Sequence, residues 1–172
     1  MTKRHIALSL ASLILFLPAA VHAKRPKAQP KIVLVADRPL APEDKHHLLH
    51  DTFTIVKTVR EVPQPVQKLL ITDTKNPLNG MANAGQDFNR IDVINGELPM
   101  RRLVLAAVNA HYCLVYSEQG GFGYGQRVTL FHLQNGRATM RWDAGRGGYF
   151  LSTEESLLTF PELRAALKHR KG

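Results

Sequence analysis

Apolar residues alternate or run together in four short segments of the second half of the chain, a spacing that is typical of β-strands. Leu103 to Val108 is apolar on both faces, as in a central strand. Tyr112 to Ser117, Arg127 to Leu133 and Arg137 to Trp142 follow in turn. Asn135-Gly136 separates the last two and favours a type I′ hairpin, because both central residues of that turn need a positive φ. The four segments therefore predict an antiparallel meander.

Two further patterns refine this predicted sheet. Alternation along the last strand predicts that Ala138, Met140 and Trp142 share the inner face. Phe88 to Ile94, which ends at Asn95-Gly96, is predicted as a fifth strand.

The first half of the chain has a weaker pattern. Ile32 to Val35 is predicted as a short buried strand, and Phe53 to Val59 as a second strand. Glu43 to Asp51, which lies between them, suits a short helix. Pro63 and Pro65 open another helix, because proline is tolerated in the first helical turn. The apolar stripe of that helix comprises Val66, Leu69 and Leu70.

The remaining segments complete a predicted α+β domain over residues 32–172. Thr72 to Asp87 is rich in Asn, Gly and Asp and is predicted as a functional or mobile loop. Ser152–Glu155 and Thr159–Glu162 are capping boxes that predict two short helices. The apolar residues of the second helix are Leu163, Ala166 and Leu167. We expect an antiparallel β-meander of four to six strands with short helices packed on one face.

The N-terminal segment has the pattern of an export signal. Lys3 and Arg4 precede an apolar run from Ile6 to Leu17, and small residues lead to Ala23. This run is too short for a stable membrane span, which needs about 20 residues. We predict a signal peptide over residues 1–23, cleaved after Ala23, and a periplasmic or secreted protein. An uncleaved anchor is the alternative.

The formal charge of +9 belongs to the ends of the chain. Residues 32–160 carry 13 basic and 13 acidic side chains, so the centre is neutral. Together with an aromatic content of 7%, this argues against specific nucleic-acid binding. Residues 24–31 are predicted to be a basic disordered tether that could contact an anionic membrane surface weakly. Its bases are Lys24, Arg25, Lys27 and Lys31.

Particular residues exclude two other classes of protein. Cys113 is the single cysteine, which excludes a disulfide scaffold and predicts a buried thiol. The glycines at positions 121, 123 and 125 precede a predicted strand rather than the helix that a phosphate site requires, which argues against a nucleotide-binding protein. The sequence therefore predicts no cofactor.

The meander places its connections at alternating ends of the sheet, and one end gathers two glycine-rich loops. Gln119 to Gly125 and Asp143 to Tyr149 lie there. Glycine lets a backbone approach a ligand, aromatic faces stack on sugars or apolar groups, and arginine binds carboxylates. The same glycines also suit plain hairpin turns, which the sequence leaves open. The predicted ligand-binding residues are Arg101, Arg102, Phe122, Tyr124, Arg146 and Tyr149.

Two other sites are weaker candidates. Glu118, Asp143 and His132 could form the site of a small hydrolase, because catalytic groups are assembled in space rather than along the sequence. His46 and His50 lie four residues apart, so a helix would bring both imidazoles to one side. A third ligand could then complete a Zn²⁺ or Cu²⁺ site.

Three segments resemble a group of small, uncharacterised exported bacterial proteins: Met81–Phe88, Leu98–Val104 and Tyr116–Gly125. The resemblance covers residues 80–133 and implies an exported bacterial protein, with no activity attached. The sequence as a whole predicts a non-catalytic binding module that recognises a glycan, a peptide or an envelope protein. The alternative is an envelope hydrolase or a histidine-based metal-binding protein.

Overall fold

A computed structural model of the chain describes residues 34–71, 77–121, 123–147 and 157–169. These residues lie in the compact unit Ile32–Gly172. The predicted signal peptide, the tether over residues 24–31 and the helix at Ser152–Glu155 lie outside the described residues, as do Phe122 and Tyr149. Among the described helices, none is long and apolar enough to cross a membrane.

The described residues form one five-stranded sheet in which every neighbouring pair is antiparallel. Its strands, in spatial and chain order, are β1 (Thr54–Val56), β2 (Arg101–Val108), β3 (Tyr112–Gln119), β4 (Gly125–Gln134) and β5 (Arg137–Gly147). The helices are α1 (Pro42–His50), α2 (Gln64–Leu70) and α3 (Phe160–Lys168), with short 3₁₀ turns at Val59–Glu61 and Pro77–Asn79. The predicted α+β fold with a β-meander is confirmed.

Local signals explain several of these elements. The hairpin between β4 and β5 turns at Asn135 and Gly136, whose φ values are 50° and 72°, as a type I′ turn requires. Thr159 and Glu162 form the predicted capping box of α3. Proline stands in the first turn of all three helices.

Helices cover the two faces of the sheet differently. On the first face, Leu48 of α1 and Leu163 of α3 pack in one core cluster with Leu114 and Trp142. Helices α1 and α3 thus share a face, but the expectation that the helices pack on one face is wrong for α2. On the other face, here called the second face, α2 packs in a separate cluster that includes Cys113. The central strand is buried on both faces, so each face needs a cover.

Helix α2 is too short to cover the whole second face. Its seven residues span about 10 Å, whereas the eight residues of β3 span about 27 Å. Val66 and Leu70 pack in the cluster that includes Val115 and Phe131. Beyond that level the second face continues with polar side chains towards the glycine-rich connections. One half of this face therefore has no helix on it among the described residues.

Two β-bulges set which side chains lie on which face. In β2, Leu103 pairs with Ser117 and Leu105 with Tyr116, so Val104 is the extra residue. In β5, Arg141 is the extra residue between Met140 and Trp142. A bulge shifts the alternation by one residue.

The β5 bulge corrects one prediction. Trp142 packs on the first face, but Met140 pairs with Phe131 on the second face and is 49% exposed. The prediction that these two side chains share a face is wrong, because Arg141 interrupts the alternation. The Arg141 guanidinium instead bonds Asp44 of α1, with Nε donating to Oδ2 at 3.2 Å.

The predicted strand over Phe88–Ile94 is also wrong. This segment is a loop, closed by the buried side-chain amide of Asn89, which donates to the backbone carbonyls of Asn95 and Leu98 at 2.8 and 2.6 Å. Those bonds replace the ladder bonds that a strand would make, and Val93 at the tip is 76% exposed. The strand that flanks β2 is β1 instead.

Three smaller expectations also change. Val35 is 65% exposed and only bridges the edge of β5 at Gly145, so it is not part of a buried strand; residues 32 and 33 lie outside the described range. Leu69 is half exposed, unlike Val66 and Leu70 of the same predicted stripe. The predicted loop at 72–87 includes a 3₁₀ turn and the bridge of Ala82 to Arg102; residues 72–76 are not described.

The tight approach of Gly120 to the loop at 88–98 predicts a large effect of one methyl group. A Cβ at Gly120 would lie 1.8 Å from the backbone oxygen of Asn89, whereas a Cβ at Gly123 would meet nothing within 4 Å. We expect Gly120→Ala to lower the free energy of unfolding by about 2 kcal/mol or more, and Gly123→Ala to change it by less than about 1 kcal/mol. Urea denaturation of both variants measures this difference. Equal stabilities would contradict the packing described here.

Candidate functional site

The predicted site residues lie in different parts of the structure. Arg101 and Arg102 are adjacent in β2 and lie on opposite faces of the sheet. Arg102 and Tyr124 meet at Glu118 on the first face. The backbone of Arg146 pairs with Gln126 in the β4–β5 ladder, and its side chain is not described. Phe122 and Tyr149 lie outside the described residues.

A closed polar network occupies the glycine-rich end of the first face. Glu118 is 2% exposed, and its carboxylate accepts bonds from Arg102 Nε at 2.6 Å and from the Tyr124 hydroxyl at 2.7 Å. Gln126 is also buried; its side-chain oxygen accepts a bond from the Tyr116 hydroxyl. Because these groups satisfy one another, the network holds the first face together.

Tyr124 is engaged within the chain rather than offered to solvent. The guanidinium of Arg90 lies over its ring at 4.9 Å from the centroid, and its hydroxyl donates to Glu118. Burial raises the pKa of this hydroxyl, and the bond to Glu118 adds to the effect. Arg102 in turn lies over the ring of Phe88 at 4.6 Å. These aromatic faces are therefore already in contact with arginine.

On the second face, the half of the sheet that α2 leaves uncovered forms a cleft of about 310 Å³. We call it the sheet-face cleft. Its walls combine the C-terminal end of α2, side chains of β2 to β5, and Met81. The lining residues are Leu69, Leu70, Met81, Arg101, Ser117, Gln119, Arg127, Thr129, Phe131, Met140 and Asp143. An apolar wall with a few convergent polar groups is the usual composition of a ligand site.

One acid and one base in the cleft neutralise each other. Arg127 donates two bonds to Asp143, from Nε at 2.7 Å and from Nη2 at 2.6 Å. The Thr129 hydroxyl donates to the same carboxylate at 2.8 Å. The bonds to Asp143 raise the pKa of the Arg127 guanidinium. Asp143 is thus held in place and its charge is compensated.

The second guanidinium of the cleft, that of Arg101, has no such acid partner among the residues described. Arg101 Nη2 donates to the backbone carbonyls of Leu70 and Asn79, the latter at 3.1 Å. Within the described part of the chain, the arginines that form ion pairs are Arg102, Arg127 and Arg141. Burial lowers the pKa of Arg101, and the positive charge of Arg127 lowers it further. Counting only the lining residues that the structure describes, the cleft therefore carries one uncompensated positive charge.

The cleft adjoins a second concavity along the glycine-rich edge. This hollow of about 370 Å³ shares Gln119, Arg127 and Asp143 with the cleft. Its other lining residues are Gly123, Tyr124, Gly125, Gln126 and Gly145, and we call it the glycine hollow. A Cβ at Gly125 or Gly145 would meet nothing within 4 Å, so the space above these glycines is open, whereas the backbone N–H and carbonyl of Gly145 are already bonded to Val35.

The groups of the candidate hydrolase site are not brought together. Glu118 lies on the first face, paired with Arg102, and Asp143 lies on the second face, paired with Arg127. Glu118 pairs with Gln126, and His132 lies six residues further along β4, about 20 Å away. The His132 ring contacts the Tyr112 ring instead. No acid–base pair forms from these three residues.

The two histidines of the candidate metal site do face each other on α1. The ring centroids of His46 and His50 are 4.6 Å apart. Across the residues that the structure describes, however, no three His, Cys, Asp or Glu side chains are placed to hold a metal ion. The nearby His47 bonds Asp51, and Asp44 accepts a bond from the Tyr112 hydroxyl.

Sequence reasoning missed the cleft residues Ser117, Gln119, Arg127 and Thr129. Their spacing could have indicated this site. Ser117 and Gln119 in β3, like Arg127 and Thr129 in β4, are two residues apart and interrupt an otherwise apolar face. Cys113, in contrast, is fully buried as predicted, and burial raises the pKa of its thiol to about 12.

Comparison with known protein families, with curated proteins and with solved structures finds no match for this chain. The candidate site is therefore defined by its geometry alone: a closed network on the first face and an open, positively charged cleft on the second.

The ion pair of Arg102 and Glu118 predicts a strong asymmetry between two neighbouring arginines. Arg102→Met would leave a carboxylate that is 2% exposed without its cation, which costs about 3–5 kcal/mol of unfolding free energy. Arg101→Met removes hydrogen bonds to carbonyls only, which costs about 1 kcal/mol. Guanidinium denaturation at pH 7 compares the two.

The double variant Arg102→Met, Glu118→Gln serves as the control. Because it removes the buried charge together with its partner, we expect it to be more stable than Arg102→Met alone. A larger loss for Arg101→Met than for Arg102→Met would refute the assignment of these side chains to their faces.

Proposed function

We propose that the protein is an exported, non-catalytic binding module that holds a segment of a peptide or protein in the sheet-face cleft. The observation that carries this proposal is the combination, in one concave site, of an apolar wall with an uncompensated guanidinium. Export is proposed from the sequence of residues 1–23 alone.

The composition of the cleft favours a peptide over a glycan. Sugar sites use open aromatic faces, but Tyr124 is covered by Arg90 and Phe131 is almost fully buried. Leu69 and Met140 are half exposed at the cleft and suit an aliphatic side chain. Ser117 and Gln119 add groups that can bond peptide units.

The surroundings of the cleft support binding without catalysis. Ser117 lines it, but no described histidine does, so the hydroxyl lacks the usual base. Asp143 accepts three bonds from Arg127 and Thr129 and is not placed to take a proton from a substrate.

A selection from random peptides tests this function. The immobilised protein is offered two peptide libraries, one attached to its carrier at the N terminus so that the C terminus is free, and one attached at the C terminus. We expect the wild type to enrich peptides, and we expect these peptides to bind the Leu69→Asp and Met140→Asp variants at least ten-fold more weakly than the wild type. Each change places a carboxylate on the apolar wall, at a side chain exposed enough to tolerate it.

Val93→Asp is the matched control, because it makes the same kind of change at an exposed apolar residue that does not line the cleft. Enriched peptides should bind this variant as they bind the wild type. Peptides that bind all three variants equally, or an absence of any enriched peptide, would overturn the proposed site.

A further inference from the structure

Arg101 is a cation of the sheet-face cleft with no acidic partner among the described residues, and it indicates the kind of group that the cleft accepts. Arg102, Arg127 and Arg141 each have a carboxylate partner within 3.2 Å. Arg101 has carbonyl partners instead, and these hold only Nη2 of its guanidinium. The carbonyls of Leu70 and Asn79 thus orient the Arg101 guanidinium without neutralising its charge. A ligand anion can therefore pair with it.

The groups around Arg101 favour a carboxylate attached to an apolar group. Arg101 lies opposite Gln119 in the β2–β3 ladder, and Ser117 is on the same face two residues away. Both can donate hydrogen bonds to an oxyanion. The remaining wall is apolar and reaches solvent at Leu69 and Met140. An inorganic anion would leave this apolar wall without a partner.

The cleft, at about 310 Å³, lies at the small end of the usual range of ligand pockets. This size suits a single terminal residue such as leucine with its carboxylate better than a long acyl chain or a nucleotide. The glycine hollow continues from the cleft past Arg127 and Asp143, and because its glycines carry no side chains it leaves room for the preceding residues.

We propose that the sheet-face cleft binds the C-terminal residue of a peptide or protein, with its carboxylate on Arg101 and its aliphatic side chain against Leu69 and Met140. The preceding residues of the ligand lie in the glycine hollow. This inference rests on the proposed function and adds the chemical class of the ligand.

The test uses the tripeptide N-acetyl-Gly-Gly-Leu with a free carboxylate and the same tripeptide as its C-terminal amide. Titration calorimetry of the full mature chain measures both. We expect the acid to bind at least ten-fold more tightly than the amide, and we expect this preference to weaken as salt is added. Arg101→Gln should abolish the preference for the acid, and Arg137→Gln should retain it, because Arg137 is exposed at the β4–β5 turn.

Folding of Arg101→Gln is checked by amide NMR dispersion. Should it fail to fold, Met140→Asp carries the test, because a carboxylate beside the cleft must weaken the acid more than the amide. Equal binding of acid and amide, or binding of inorganic phosphate or octanoate as tight as that of the tripeptide acid, would overturn the proposal. Cleft-dependent peptides that lack a free C terminus would overturn this inference and leave the proposed function standing.

Discussion

The extra residue Val104 in β2 decides how the polar end of the sheet is divided. Because of this bulge, Arg102 lies on the first face with Glu118, and Arg101 lies on the second face. Without it, the alternation of the strand would exchange the two arginines. The buried carboxylate of Glu118 makes that exchange costly, since it needs its cation. The bulge therefore leaves Arg101, for which the described residues supply carbonyl partners but no acid, on the open face.

The two faces use similar residues for different purposes. On the first face, α1 and α3 cover the apolar core, and the polar side chains beyond it bond one another. On the second face, α2 ends before the polar level is reached, so side chains there line a cleft. The β5 bulge contributes to both, because it directs Arg141 to Asp44 and leaves Met140 at the cleft. The cleft thus results where the sheet extends past its helix.

Local chemistry made much of the fold predictable from the sequence. The Asn135-Gly136 turn, the capping box at Thr159 and the four strands of the meander each depend on near neighbours, and each was predicted. The bulges depend on contacts across strands, so the sequence does not predict the faces on which Met140, Arg101 and Arg102 lie. The loop at 88–98 has the sequence pattern of a strand, but the Asn89 side chain satisfies its backbone from within, so it needs no strand partner. The predicted site residues that the structure describes therefore lie at one end of the sheet but on both of its faces.

The most direct measurement is the NMR signal of the arginine Nε–H groups, recorded with and without N-acetyl-Gly-Gly-Leu. We predict that the Arg102 signal is protected from solvent exchange by Glu118 and does not move when the peptide is added. The Arg101 signal is predicted to shift in proportion to the bound fraction. A peptide-dependent shift of Arg102 with an unchanged Arg101 would contradict both the division of the two faces and the location of the site.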